Sequence, residues 1–234
     1  MIRTDLPSPY LDKMDPWSSH SQISHWLQDQ PEGATVLDVG AASGILGRRC
    51  SGFGLRLKGI EPRVEWAELA RPYYEEIVVC SIEAVTDDFL CGADVVVLAD
   101  VLEHLSEPEA VLKRIVGLQQ HGTWFVISVP NIAHLWVRLN LMLGRFDYTE
   151  RGILDRTHLH FFTRSTFLTL LQNCDLQVER LNTTPVPLNL VHPFFQNNLV
   201  GRQLHSILAR LTRRMAGLLS YQFVAYAQKS CNHT

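Results

Sequence analysis

Residues 36–44 read VLDVGAASG, an apolar run that breaks into a turn of small residues. The run is short and rich in β-branched residues, which is typical of a strand buried on both faces of a parallel sheet. Gly40 and Gly44 give the backbone the freedom for a tight turn, and a helix that begins near Ser43 would direct its free N–H groups towards a ligand. The stretch therefore predicts a strand, a turn and a helix with a ligand site at the turn.

The end of the following strand makes this interpretation more specific, because tight strand-to-helix turns are common in α/β proteins. Residues 55–60 form another apolar run, which ends in Glu61 and Pro62, and Glu61 follows Asp38 by 23 residues. In doubly wound sheets an acid roughly 20 residues on accepts hydrogen bonds from the two hydroxyls of a ribose. Asp38, the glycine turn and Glu61 are therefore interpreted as one nucleoside-binding set.

The spacing of the glycines separates two kinds of nucleoside cofactor. A nicotinamide site expects GxGxxG, whose glycines let the backbone approach a pyrophosphate. Here the glycines are Gly40, Gly44 and Gly47, and Ala42 occupies the middle position. This pattern favours a nucleoside cofactor without phosphates.

With these residues in place, the chain resembles the class I methyltransferases that depend on S-adenosylmethionine (SAM). The first motif of that family is an acid, one residue and GxGxG, which matches Asp38 and residues 40–44, with Ala42 in place of the middle glycine. The resemblance implies that Asp38 contacts the amino-acid end of SAM, directly or through water, and that Glu61 binds the ribose hydroxyls. Ser81 stands where the family often has an acid that binds the adenine amino group.

The resemblance implies a wider set of residues around SAM and its product, S-adenosylhomocysteine (SAH). Tyr10 and His20 precede and open the first predicted helix, where they could contribute to a lid over the cofactor. The expected cofactor-binding residues are Tyr10, His20, Asp38, Gly40, Ala41, Ala42, Gly44, Glu61, Pro62, Ser81, Ile82, Ala99 and Asp100.

Further blocks extend the resemblance to residues 10–228. Residues 94–105, DVVVLADVLEHL, resemble the fourth strand and following turn of the ubiquinone O-methyltransferases. Residues 129–134, 144–148 and 155–163 together resemble a bacterial subgroup that occurs alone or fused to glycosyltransferases in polysaccharide and natural-product pathways. The family is therefore indicated by the whole chain and not by the glycine turn alone.

Apolar runs and helical patterns alternate along the chain, as in a parallel sheet. The predicted strands are 34–39, 55–60, 76–80, 93–98, 122–129, 176–182 and 221–227, and the predicted helices are 18–28, 44–51, 63–70, 84–89, 107–118 and 165–173. With the resemblance, this implies one α/β domain over residues 1–234, a Rossmann-like three-layer sandwich. Its seven-stranded sheet would be mostly parallel with the last strand antiparallel, and an insertion at about 131–163 would cover the acceptor.

Three histidines are candidates for the chemistry on the acceptor. Methyl transfer to a hydroxyl requires in-line alignment, exclusion of water and removal of a proton. Histidine suits the last step because its unperturbed pKa lies near the working pH. We expect His158 to be the general base, with His134 and His104 as alternatives and His160 less favoured, since it would point away from His158 in an extended segment. The competing interpretation is that they are loop residues or core donors bonded to carbonyls.

A second candidate cluster consists of Asp100, Glu103 and His104. In a helical turn, positions i, i+3 and i+4 share a face, so these side chains could meet one divalent cation. The matching segment of the ubiquinone O-methyltransferases has been linked to metal. The simpler interpretation places Asp100 beside the sulfonium end of the cofactor and His104 at the substrate pocket. We therefore expect no metal ligand in this chain.

In residues 199–219 a mainly apolar set of residues recurs at helical spacing, with arginines between them: Leu199, Gln203, Ile207, Leu211, Met215 and Leu218, with Arg202, Arg210, Arg213 and Arg214. A basic amphipathic helix of this kind can bind a membrane surface or a partner. Since such helices more often cover a sheet, we expect this one to pack its apolar stripe on the sheet.

Composition agrees with one enzyme domain. The chain has 234 residues, a net charge of −3, 46% apolar and 19% charged residues, and nothing in this balance indicates nucleic acid as a partner. No run approaches the ~18 apolar residues of a membrane span, and the N-terminus lacks the apolar core of a signal peptide. The five cysteines are odd in number and form no CxxC pair, which favours reduced thiols and the cytoplasm. A monomer and a homodimer are both compatible with these features.

The sequence therefore predicts a SAM-dependent methyltransferase that acts on a small molecule. The preferred acceptor is a hydroxyl oxygen of a sugar or secondary metabolite. N- or C-methylation of a natural product stays open, as does a SAM-binding module without chemistry. The intact set of Asp38, Gly40, Gly44 and Glu61 argues against a degenerate enzyme.

Overall fold

The computed structural model describes residues 15–188, 192 and 194–230. Strands and helices alternate through the first half of the chain, as the sequence predicts. The strands are β1 (Thr35–Val39), β2 (Arg56–Ile60), β3 (Glu76–Val78), β4 (Val95–Ala99), β5 (Trp124–Pro130), β6 (Leu176–Thr184) and β7 (Gln222–Lys229). The helices are α1 (Ser19–Gln28), α2 (Ile45–Arg49), α3 (Val64–Ala70), α4 (Asp87–Leu90), α5 (Pro108–Leu118), α6 (Leu135–Met142), α7 (Arg164–Asn173), α8 (Phe194–Asn197), α9 (Leu199–Arg214) and α10 (Ala216–Leu219).

The seven strands form one sheet in the order β3-β2-β1-β4-β5-β7-β6. The pairs β1–β2, β2–β3, β1–β4 and β4–β5 are parallel, whereas β7 is antiparallel to both β5 and β6. The chain crosses from β1 outwards to β3 and then returns to β4 on the other side of β1. This reversal leaves a crevice beyond the carboxyl ends of β1 and β4, where α/β sheets bind their ligands. The predicted mostly parallel sheet with an antiparallel last strand is confirmed.

Helices cover both faces of the sheet and give the three layers that the sequence predicts. Along β4, Val96 and Leu98 belong to one buried cluster, whereas Val95 and Val97 belong to the other, because successive side chains of a strand point to opposite faces. Helices α5 and α7 supply apolar side chains to the first cluster. Helices α1, α2 and α3 supply them to the second.

The insertion contains a helix that the sequence analysis missed. Helix α6 begins after its cap, His134, and buries Val137 alone. Its apolar residues surround the helix instead of forming one stripe, so no helical period stands out in the sequence. Three elements are shorter than predicted: α2, β3 and α4 span five, three and four residues, respectively.

Helix α9 corrects the expectation for residues 199–219. The predicted helix is broken at Met215, and its apolar stripe faces solvent: Ile207 and Leu211 are 48% and 46% exposed. The helix buries small and polar residues instead, namely Gly201, His205, Ala209 and Thr212. Small side chains let the backbone approach its neighbours closely, and a Cβ at Gly201 would lie 2.3 Å from the carbonyl oxygen of Phe194.

No helix in the described part of the chain is both long enough and apolar enough to cross a membrane. Within the same part, Cys50, Cys80, Cys91 and Cys174 are free thiols. Cys231 lies outside the described residues.

Candidate active site

A cavity of about 390 Å³ lies at the carboxyl ends of β1, β2 and β4. It is lined by most of the residues that were expected to bind the cofactor: His20, Asp38, Gly40, Ala41, Ala42, Glu61, Pro62, Ser81, Ile82, Ala99 and Asp100. Gly44 is not in the lining, because it caps α2 with a φ of +78° and packs against Ala70. Tyr10 lies outside the described residues.

The turn after β1 adopts a backbone conformation that leaves room for a ligand. Gly40 has a φ of +78°, and a Cβ there would lie 2.8 Å from Cγ2 of Val101. Ala42 has a φ of +46°, a left-handed conformation that costs a residue with a Cβ roughly 1–2 kcal/mol. The N–H of Ala42 donates to Oε2 of Glu61 at 2.8 Å, which holds the turn against the end of β2.

Glu61 is a buried carboxylate whose donors come from the backbone. Oε1 accepts from the N–H of Arg63 at 2.9 Å, and Oε2 accepts from the N–H of Ala42 at 2.8 Å. Burial raises the pKa of Glu61, and these two hydrogen bonds act in the opposite direction. Each oxygen of a carboxylate has two acceptor positions, so both can still accept from the two hydroxyls of a ribose.

Asp38 is the second buried carboxylate of the cavity. Its Oδ2 accepts a hydrogen bond from the hydroxyl of Tyr74 at 2.5 Å, and that hydroxyl also accepts from the N–H of Gly47. Burial raises the pKa of Asp38 to about 6; the Tyr74 hydrogen bond lowers it, and the nearby Glu61 carboxylate raises it further. The ammonium group of a ligand could pair with the carboxylate of Asp38.

Asp100 does not join Glu103 and His104 in one cluster as the spacing suggested. Its backbone has a φ of +58°, and its carboxylate accepts from the hydroxyl of Ser128 and from the amide of Gln222, each at 2.7 Å. The turn after β4 is a short 3₁₀ segment and not an α-helix, so the i, i+3, i+4 rule does not apply to it. Asp100 nevertheless lines the cavity at the carboxyl ends of β1, β2 and β4.

The structure instead brings His158 to Glu103 and His104. One ligand atom of each of the three side chains lies within 4.8 Å of the other two. The rings of His104 and His158 meet edge to face, with centroids 4.8 Å apart. His158 follows Glu103 by 55 positions and His104 by 54. The insertion must therefore fold back over the end of β4 to assemble the cluster.

Both histidines of this cluster have one ring nitrogen fixed by a backbone carbonyl. Nδ1 of His104 lies 3.2 Å from the carbonyl oxygen of Thr157, and Nδ1 of His158 lies 3.2 Å from that of Ile153. A carbonyl only accepts, so we assign the proton to Nδ1 in each ring, which leaves Nε2 with a lone pair. Burial lowers the pKa of His158, and the neighbouring His104 lowers it further. His158 is therefore neutral near pH 7 and able to accept a proton.

Glu103 lies beneath the two histidines and is 1% exposed. Neither carboxylate oxygen has a hydrogen-bond partner among the described residues. Burial raises the pKa of Glu103 well above its usual range, and the carboxylate of Asp100 raises it further. The carbonyl oxygen of Glu103 accepts from the N–H groups of Leu159 and His160, which fastens the insertion to the turn after β4.

The other two histidines of the insertion have structural partners. His134 is the N-cap of α6, where its Nδ1 accepts from the N–H of Trp136 at 3.2 Å. It does not line the cavity, so its position gives no support to the alternative of His134 as base. Nε2 of His160 lies 3.1 Å from the carbonyl oxygen of Ser106, which holds it at the edge of the insertion.

Sequence analysis missed several residues that contribute to the cavity. Arg63 and Trp66 follow the second strand and line the cavity, and the Arg63 guanidinium lies 4.3 Å from the Trp66 ring centroid. Their position directly after Glu61 is a signal that could have found them. Thr157 also lines the cavity, and the hydroxyl of Tyr74 donates to Asp38. These two residues have no sequence signal, because only the fold brings them to the site.

The donor set of Glu103, His104 and His158 could also hold a divalent cation. One carboxylate and two imidazoles suit the first-row transition metals. Metal-binding histidines usually donate their other ring N–H to a carbonyl or carboxylate, which is the arrangement of both Nδ1 atoms here. Glu103, His104 and His158 are therefore suited to binding a divalent cation as well as to accepting a proton.

The reversed parallel sheet, the glycine turn after β1 and the buried acid after β2 together define the class of SAM-dependent methyltransferases with a Rossmann-like fold. A family model described as "Methyltransferase domain" matches residues 19–181, and the chain belongs to that family. The class and the SAM dependence predicted from the sequence are thus confirmed.

Among similar proteins are two ubiquinone biosynthesis O-methyltransferases. That of Paraburkholderia phytofirmans is 32% identical over 156 residues, which cover 62% of this chain and 65% of the relative. That of Burkholderia ambifaria is 27% identical over 154 residues, which cover 62% of this chain and 66% of the relative. The chain thus matches just under two thirds of the length of these relatives.

Solved structures with the same fold include two methyltransferases of low sequence identity. A SAM-dependent methyltransferase from Archaeoglobus fulgidus superposes with a TM-score of 0.60 at 16% identity, covering 90% of this chain and 92% of that one. Magnesium protoporphyrin IX methyltransferase from Synechocystis PCC 6803, with bound SAH, superposes with a TM-score of 0.62 at 14% identity, covering 91% of this chain and 82% of that one. At these identities the likeness concerns the fold.

Proposed function

We propose that this protein transfers the methyl group of SAM to a hydroxyl oxygen of a small molecule. The observation that carries the proposal is the buried, neutral His158, whose ring packs edge to face against the ring of His104, a residue that lines the cofactor cavity. A hydroxyl must lose its proton as it attacks, whereas an amine can attack with its own lone pair. The names of the two O-methyltransferase relatives also favour oxygen.

In this proposal, different residues of the cavity bind different parts of the cofactor. Asp38 pairs with the ammonium group of the amino-acid end, Glu61 accepts from the ribose hydroxyls, and Ser81 and Ile82 border the adenine. When bound, SAM supplies a methyl group on a sulfonium, which is already an activated leaving group. Asp100 lies at the sulfonium end beside the turn after β4.

His158 performs the proton transfer in this proposal. Its Nε2 would accept the proton of the hydroxyl, so that the acceptor oxygen can take the methyl group that SAM supplies. The Nδ1–H bond to the carbonyl of Ile153 holds the ring and would stabilise the imidazolium that results. Glu103 and His104 lie next to the ring, and Glu103 is a buried carboxyl whose pKa is raised well above its usual range by burial.

A cation bound by Glu103, His104 and His158 is the second candidate arrangement, favoured by the unpartnered oxygens of Glu103. Such an ion would supply Lewis-acid activation of a hydroxyl. We prefer the metal-free arrangement because the sulfonium needs no further activation and the neutral His158 is already a competent base.

The proposal is tested with SAM labelled in its methyl group and a panel of sugars, phenols, secondary metabolites and matched amines. The expected result is label in the hydroxyl compounds alone, located on oxygen by mass spectrometry. Label on nitrogen or carbon would overturn O-methylation. SAH binding with no transfer to any compound of the panel would favour a module without chemistry.

A further inference from the structure

A second cavity, of about 500 Å³, lies at the edge of the sheet beside β6. It shares no lining residue with the cofactor cavity. Its walls come from α1, the start of α7, β6 and the α9–α10 region, and its polar lining residues are Gln22, Arg164, Arg180, Asn182, Thr183 and Arg213. The methyl-transfer proposal uses none of these side chains.

The cavity carries an unbalanced positive charge. Arg164, Arg180 and Arg213 come from three different elements, and no Asp or Glu lines the cavity. None of the three forms a salt bridge with another described residue, whereas five other arginines or lysines of the chain do. Three like charges around one recess repel each other, so an anion that enters it gains attraction from all three.

Aromatic rings and a hydrogen-bond network fix the walls. The Arg180 guanidinium lies 4.3 Å from the Tyr226 ring centroid, and that of Arg213 lies 5.1 Å from the Trp17 ring centroid. Cation–π attraction of this kind holds each guanidinium group at the wall of the cavity. Gln22 ties α1 to β6 by donating to the carbonyl of Thr183 and accepting from the Asn182 amide.

We propose that this cavity binds a small organic diphosphate, with the phosphates against the three arginines. Arginine forks match phosphate oxygens and form paired hydrogen bonds with them. A monocarboxylate would balance one of the three charges, whereas a diphosphate balances most of them. The volume exceeds what two phosphates fill and falls in the range of about 300–1,000 Å³ that is usual for small-molecule sites, which leaves room for an organic group.

The test is calorimetric titration of the full chain with inorganic pyrophosphate and with UDP, each in the absence and in the presence of saturating SAH. Pyrophosphate is expected to bind with a stoichiometry of one and with an affinity that falls as salt rises, and UDP is expected to bind more tightly. Arg180→Gln and Arg213→Gln should each weaken pyrophosphate binding about tenfold, the usual loss for one charge-assisted bond. Arg180→Lys keeps the charge without the fork and should fall between wild type and Arg180→Gln.

Arg210→Gln is the matched control, since Arg210 lies on the same helix as Arg213 but does not line the cavity. Its affinity for pyrophosphate should equal that of the wild type. The proposal is overturned if pyrophosphate does not saturate a single site, if SAH competes with it, or if Arg210→Gln weakens binding as much as Arg213→Gln. Thermal unfolding confirms that each variant is folded, and Arg164→Gln gives an independent third measurement from α7.

Discussion

At the scale of single residues, the cofactor cavity depends on two buried carboxylates with different surroundings. Glu61 has two backbone donors, so its place is fixed by the chain itself. Asp38 has one side-chain donor, Tyr74, and its pKa is raised to about 6 by burial. The two acids therefore respond differently to mutation and to pH.

Glu61→Ala should weaken SAH binding by tenfold or more. The change removes hydrogen bonds from a charged acceptor to the ribose, each worth about 1.5–3 kcal/mol, and it also frees the N–H of Ala42 that holds the turn. Calorimetry with SAH measures the loss, with NAD as a ligand that should not bind. Glu65→Ala, an exposed acid on α3, is the control and should bind SAH as the wild type does. Unchanged binding by Glu61→Ala would remove Glu61 from the ribose site.

SAH affinity should fall as the pH is lowered through about 6. Below that pKa the Asp38 carboxyl is protonated in the free protein, and it can no longer pair with the ammonium of the ligand. In the ligand-free protein the stability of the fold depends on pH in the opposite direction. Between pH 3.8 and about pH 6 the folded state keeps a proton that the unfolded state releases, so the free energy of unfolding falls as the pH rises.

The Asp38 prediction is checked by calorimetry on either side of pH 6 in the wild type and in Asp38→Asn. The variant should bind SAH weakly at every pH, with this pH dependence gone. A pH dependence that survives in Asp38→Asn would assign the titration to another group.

His158→Ala should lower turnover by about 10²- to 10⁴-fold, the usual contribution of a positioned general base. SAH affinity should stay near that of the wild type, because His158 does not line the cofactor cavity. His25→Ala, an exposed histidine of α1, is the control for loss of a histidine as such. Loss of both turnover and SAH binding would instead mean that His158 braces the insertion.

At the scale of elements, α9 shows how the hydrophobic pattern can mislead. Its large apolar residues repeat with helical spacing, but the helix packs through Gly201, His205, Ala209 and Thr212. Close backbone approach at Gly201 decides the orientation. A periodic apolar stripe is a signal of burial only where a complementary surface is present to receive it.

Gly201→Ala should destabilise the protein, although alanine is the better helix former by about 1 kcal/mol. The added Cβ would lie 2.3 Å from the carbonyl oxygen of Phe194, so α8 or α9 must shift. Gly217→Ala has nothing within 4 Å of its Cβ and serves as the matched control. Ile207→Ser, on the exposed stripe, should change stability by no more than about 0.5 kcal/mol. Thermal and urea unfolding measure the stability of all three variants. A large loss of stability in Ile207→Ser with none in Gly201→Ala would show that the helix packs through its apolar stripe instead.

At the scale of the whole molecule, the acceptor side is assembled from distant segments. The turn after β4 supplies Glu103 and His104, and the folded insertion supplies His158. The two N–H groups that bond to the carbonyl of Glu103 hold these segments together. The chemistry of the cluster is thus a property of the closed tertiary structure.

Turnover should survive treatment with EDTA and should not rise when magnesium or zinc is restored. The sulfonium is already activated, and the neutral His158 can take the proton without a metal. Activity on the acceptor found above is measured before and after chelation, with Glu103→Gln as a second measurement that removes the carboxylate of the donor set. A large loss with EDTA that a divalent cation reverses, and that Glu103→Gln reproduces, would show that the cluster holds a metal.

The sequence by itself determined the parallel sheet, the glycine turn and the pair of acids at the cofactor end. These features are local: a strand, its turn and the next strand end lie within residues 36–62, and their spacing follows from backbone geometry. The tertiary structure alone decided that Tyr74 supports Asp38, that Asp100 turns towards Ser128 and Gln222, and that His158 joins Glu103 and His104. It also decided that α9 shows its apolar stripe to solvent. Contacts between segments far apart in sequence depend on how whole elements pack. The pattern of side chains within one element does not predict which other element it will contact.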